Sequence, residues 1–192
     1  MTDMDKTIID AFEIAAKTHE NISKLIKRCK KLCKESGYDV LTKDFIHWWT
    51  CNDNDDPILS SSASWSTRWF ILPFSRDDEE NIIYVMEVNL FFSRVMVAKF
   101  IYDTKIKHSE INNSRFDNFS LPISRDDDGY SYDDKKINEF KFTKATLQTK
   151  RNRGKFWANS ILFAEFYLSE IKADNVKEKI FGTFDKLAEL DY

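Results

Sequence analysis

The sequence predicts an α+β fold: a mainly antiparallel sheet of five to six strands, with a long N-terminal helix and a short C-terminal helix packed on one face. Three observations carry that expectation. Asp3 to Glu35 holds neither proline nor glycine and repeats apolar residues at helical spacing. The middle of the chain switches to a period of two, and from Asn175 onwards the spacing is helical again. With 192 residues, 42% hydrophobic and 32% charged, the chain reads as one soluble domain spanning 1–192.

In the first segment, 1–37, apolar or small residues recur at Ile8, Phe12, Ala15, Ile22, Ile26, Cys29 and Cys33, the stripe of one buried helix face that ends near Gly37. Positions 8, 15, 22 and 29, with 12, 19, 26 and 33, keep seven-residue spacing, and His19 alone is polar there. Such a helix runs roughly 45 to 50 Å, more than a domain of this size needs. Part of it is expected to project and pair with a second copy, giving a homodimer through the N-terminal helix.

Strands are expected over 44–103 and 139–171. Phe45 to Cys51 and Arg68 to Phe74 are short aromatic runs, and Ile82 to Phe92 alternates, with apolar even positions and Glu87 and Asn89 on the odd face. Val95 to Tyr102 is registered against it by a turn centred on Ser93, which sets Leu90 opposite Met96, Val88 opposite Ala98, Met86 opposite Phe100 and Tyr84 opposite Tyr102. Glu87 then pairs with Lys99 on the other side. Segment 104–138 is polar and reads as a long loop or insert. Phe140 to Thr149 reads as a strand; 156–171 fits helix or strand, and its aromatic content favours strand. In the last helix, 174–190, Asn175 and Glu178 form a capping box, and Val176, Ile180, Phe184 and Leu187 share one face.

Charge and cysteine usage bound the partners. With 29 basic and 32 acidic side chains the net charge is -3, which disfavours a polyanion. A nucleic-acid surface would have to join the lysines and Arg28 at the end of the first helix to Lys150, Arg151, Arg153 and Lys155, with Trp48, Trp49 or Trp157 as stacking platforms. A solvated helix face is the plainer reading of those cations. Cys29, Cys33 and Cys51 read as reduced thiols in a cytoplasm, and neither a secretion signal nor a membrane span is visible. Phosphate-wrapping glycine motifs and nucleophile motifs are absent, and no cofactor is implied.

Two constellations stand out. Leu72-Pro73-Phe74-Ser75-Arg76-Asp77-Asp78 recurs as Leu121-Pro122-Ile123-Ser124-Arg125-Asp126-Asp127. A reused strand-exit turn explains the repeat; alternatively, Arg76 and Arg125 frame a pocket for an anionic small molecule. Glu87, Asn89, Lys99 and Glu165 share the less apolar sheet side, as ordinary ion pairing or as the parts of a metal-dependent nuclease-like centre. A zinc site on Cys29 and Cys33 lacks two further ligands, and the acidic runs 53–56 and 126–134 break calcium-loop spacing, so no metal site is expected.

Function follows from the sheet's second face. A mixed face rich in Trp, Phe and Tyr needs cover, so the leading expectation is a non-enzymatic cytoplasmic protein that binds a protein or peptide partner there, as chaperones, inhibitors and immunity proteins do. Binding residues on that reading are Glu87, Asn89, Lys99, Glu165, Trp48 and Trp157, with Arg76 and Arg125 at the rim.

Overall fold

A computed structural model describes residues 3–42, 46–48, 69–77, 79–90, 92–106, 130–147 and 158–190. The architecture is α+β. Helix α1 (Asp3–Leu32) runs into a single 3-10 turn (Lys34–Ser36), and Gly37 reverses the chain at φ 78°, a conformation that side chains disfavour. Strands β1 (Asp39–Val40), β2 (Ile46–Trp48), β3 (Trp69–Ser75), β4 (Ile82–Asn89), β5 (Arg94–Ile101), β6 (Tyr130–Ile137), β7 (Phe140–Leu147) and β8 (Ser160–Tyr167) follow. A π-helical turn (Lys177–Phe181) leads into the final helix α2 (Gly182–Ala188). The strands form one sheet in the order β1-β3-β4-β5-β8-β7-β6, with β2 also paired to β3, and every pairing is antiparallel. Six strands are seven or eight residues long; the expectation of five to six strands included β2 but not the short β1 or β6.

Those two short strands share one edge of β3, and Pro73 sits between their footprints, after Ile71 and before Phe74. A proline has no N–H to give a ladder, so it is tolerated where neighbouring strands change over. Its carbonyl still accepts from Leu41 N–H at 3.0 Å.

Both helices pack on the sheet face formed by Phe70, Leu72, Phe74, Tyr84, Met86, Val88, Val95 and Val97. α1 contributes Ile22, Ile26, Cys29 and Cys33, and the C-terminal segment contributes Val176, Ile180 and Phe184, as the helical spacings predict. Tyr38, Phe74, Tyr84, Phe181 and Phe184 form an aromatic cluster with ring centroids 5.1 to 5.9 Å apart. The Tyr38 hydroxyl donates to Asp185 Oδ1 at 2.9 Å, which ties the end of α1 to α2.

The β4–β5 register differs from the one expected. Glu87 lies opposite Met96, Lys99 opposite Tyr84, and Asn89 opposite Arg94, so the hairpin closes through residues 90–93 and every β5 side chain changes face. A Glu87–Lys99 pair is therefore excluded. The expected register rested on alternation, but β5 is apolar on both sides (Val95 and Val97, Met96 and Ala98), so alternation cannot select it. Turn chemistry and Lys99 do. Asn89 Oδ1 accepts Phe92 N–H at 3.2 Å, and Ser93 takes a left-handed φ of 53°. Lys99, buried on the helix face, donates from Nζ to Ala188 O and Leu190 O at 3.2 Å each, where the last carbonyls of α2 lack intrahelical donors.

Two further expectations are corrected. The polar segment 104–138 contains strand β6, hairpinned to β7 through Asn138 (φ 45°) and Glu139 (φ 68°). As the last strand on the sheet's path, with Ser131, Asp133, Asp134 and Lys136 exposed, β6 lacks an apolar alternation to betray it. The capping box does not form: Asn175 reaches backwards, accepting from Lys172 N–H and donating to Glu170 O.

Lys99→Met is expected to lower unfolding free energy in urea by about 1 to 2 kcal/mol, because two helix-terminal carbonyls lose their donor. Hydrogen exchange should accelerate at residues 186–190 and stay unchanged in β4.

Candidate interaction site

The second sheet face carries Trp69, Ile71, Ile83, Val85, Met96, Ala98, Phe100, Ile161 and Phe163. It is buried without either helix contributing to its apolar cluster, and Glu87 and Asn89 lie within it at 0% and 1% exposure. Glu87 and Asn89 are therefore enclosed rather than presented on an open face. Glu165 does reach the same face as Glu87, with Met96 between them in register, but its carboxylate is held by Arg94 at 2.6 Å. Lys99 points to the opposite face. The nuclease-like constellation of Glu87, Lys99 and Glu165 is thus not assembled.

Arg76 is half-buried, with its guanidinium over the Tyr38 ring at 5.8 Å from the centroid. Trp48 lies in β2 opposite Trp69, and its side chain lies outside the described residues, as do Arg125, Trp157 and Cys51.

What the structure does expose is the first half of α1. Its first buried side chain is Ile22; over residues 4–14 every side chain is exposed, among them Met4 (74%), Ile8, Ile9, Phe12 and Ile14 (67%). The apolar stripe thus divides: Ile22, Ile26, Cys29 and Cys33 meet the sheet, while Ile8 and Phe12 run past it. His19 meets the sheet edge-on at Phe70, at 5.7 Å between ring centroids.

Beside the seated half of α1 lies a groove of about 910 Å3, walled by α1, the β4–β5 turn and the chain after β8. Leu25, Leu90, Leu168 and Ile171 give it an apolar floor, and Lys24, Arg28 and Lys172 line it without any acidic residue. In a chain of net charge -3 that is a local reversal of sign. Lys24 and Arg28 stand out in the sequence as part of the basic end of α1, but the groove does not, since Leu25 sits off the apolar stripe and Leu168 and Ile171 leave β8 without periodicity. Lys24 pairs with Glu20 at 2.6 Å, a solvent-exposed pair that holds it weakly.

The helix thiols face inward. Cys29 is packed against Met86, donating to its sulfur at 3.6 Å, and Cys33 donates to Lys30 O at 3.1 Å. Burial pushes the Cys29 thiol up to about 12, the neighbouring Cys33 adding to it. Among the described residues no three potential ligands converge on a metal position, and no helix is long and apolar enough to cross a membrane.

No family model matches the chain, and no curated protein or solved structure matches it.

Burial likewise raises Tyr38 and Tyr84 above the ordinary phenol range, the Asp185 carboxylate adding to Tyr38 and Glu79 to Tyr84. All three groups are neutral when protonated, so the native state holds protons that an unfolded chain releases near about pH 8.5 for thiols and 10 for phenols. Their contribution is complete below about pH 8.5 and is lost as pH climbs toward the raised native values. The urea midpoint should therefore be flat from about pH 7 to 8.5 and fall steadily to pH 11, with a shallower fall in Tyr38→Phe.

Proposed function

We propose that this chain is a non-enzymatic cytoplasmic interaction protein that docks a protein or peptide partner along the projecting first half of α1, rather than across the sheet. The observation that carries this reading is the set Met4, Ile8, Ile9 and Phe12, large apolar side chains exposed together on about three turns of helix. A helix whose side chains are all exposed over residues 4–14 buries little area there, and isolated helices of that length are marginal in water. An amphipathic helix laid into a partner's groove recovers that stability through anchors at i, i+4 and i+8, the spacing of Met4, Ile8 and Phe12.

The test is retention of a stoichiometric macromolecule by the immobilised full chain, compared with an Ile8→Asp/Ile9→Asp variant. Both positions are exposed, so the variant should unfold within about 0.5 kcal/mol of the parent. Retention should fall at least about tenfold, equivalent to 1.4 kcal/mol. Equal retention by both proteins, or a co-purifying small molecule in place of a macromolecule, overturns the reading.

A further inference from the structure

We infer that α1 pairs antiparallel with α1 of a second copy, the inner end of each projecting half, at Ile14, entering the groove beside the other's seated half. This goes beyond the partner-docking reading and uses a different side of the helix. The charge of α1 is divided along its length. Residues 3–16 carry Asp3, Asp5, Asp10 and Glu13 against Lys6, whereas residues 17–32 carry six cations against Glu20. Parallel pairing would set acid on acid and base on base; antiparallel pairing sets each acidic half on a basic one.

The groove selects the side and the register. It is bounded along α1 by Thr18, Asn21, Leu25 and Arg28. At about 100° per residue the same side of the helix, followed towards its N-terminus, presents Ile14, Asp10 and Thr7. Ile14, 67% exposed, is the large apolar residue on that line. Ile8 and Ile9 lie more than about 100° away and stay outside the pairing.

Setting Ile14 level with the partner's Leu25 brings Asp10 within one residue of Arg28 and Glu13 within two of Lys24. Thr18 then meets Asn21 at the two-fold axis. The interface is self-complementary, as a closed dimer requires. In this register the groove-lining stretch Thr18 to Arg28, about 15 Å of helix, lies opposite residues 11–21 of the second copy. Because each projecting half extends beyond its own sheet, the two sheets lie at opposite ends of the pair.

Light scattering on the full chain tests the inference. The parent should run at twice its 22.7 kDa at about 20 μM and 50 mM salt, and shift towards monomer as salt rises. Asp10→Lys/Glu13→Lys and Lys24→Glu/Arg28→Glu should each be monomeric, with a dissociation constant raised at least about 30-fold. An equimolar mixture of the two should return to dimer mass, because each variant then meets its opposite charge. An Ile14→Cys/Leu25→Cys protein should oxidise to a covalent dimer, since the two positions are about 16 Å apart within one helix. Circular dichroism confirms that each variant remains folded. A monomeric parent at about 100 μM, a mixture that stays monomeric, or a dimer that ignores both charge changes overturns the pairing. Partner retention that depends on Ile8 and Ile9 is read separately, so loss of the dimer and loss of the docking surface are distinguished.

Discussion

The seating of α1 on the sheet is the constraint from which the remaining features follow. Ile22, Ile26, Cys29 and Cys33 reach Phe70, Leu72, Met86 and Val88, and the chain then turns through Gly37 to place Tyr38 in the aromatic cluster with Phe74, Tyr84, Phe181 and Phe184. That cluster joins the end of α1, the middle of the sheet and α2 in one apolar contact, with Tyr38–Asp185 as its polar anchor. Offset and edge-on aromatic contacts each add about 0.5 to 1.5 kcal/mol beyond the area they bury, and they restrict orientation as well. With its C-terminal half fixed there, a thirty-residue helix must extend past the sheet at its other end.

Burial on the second sheet face has a different logic. Glu87 and Asn89 lie inside an apolar layer built mainly from strands, and a buried carboxylate costs free energy unless its neighbours compensate. Arg94 and Glu165 form an exposed ion pair on the same side, where the sheet meets solvent. Polar residues on that face thus run from wholly enclosed to exposed across neighbouring strands. Among the described residues, most of the exposed large apolar side chains lie on α1 instead, at Met4, Ile8, Ile9, Phe12 and Ile14.

Much of the fold was legible in the chain. The extent of α1, the buried side of the C-terminal helix and the helix-facing side of β4 follow from periodicity, and the strand at 160–167 from its aromatic content. Where periodicity is uninformative the reading fails for an identifiable reason. β5 is apolar on both faces, so its register passes to the turn and to Lys99; β6 is largely exposed, so its side chains carry no burial signal. Of the site residues, Glu87, Asn89 and Glu165 share a face as expected, yet Lys99 does not join them, because a register shift by an odd number of residues inverts a strand.

By itself the sequence determined most of the helix and strand segments, though not β1 or β6, which helix faces are apolar, and that the charge of α1 changes sign along its length. These are local properties, set by the spacing of side chains on a single element. Tertiary structure alone decided which sheet face is closed, where the apolar stripe of α1 parts from the core, and that Leu25, Leu90, Leu168 and Ile171 converge on a basic groove. Those facts depend on contacts between residues far apart in the chain, and a pattern along one strand or helix holds no record of what packs against it.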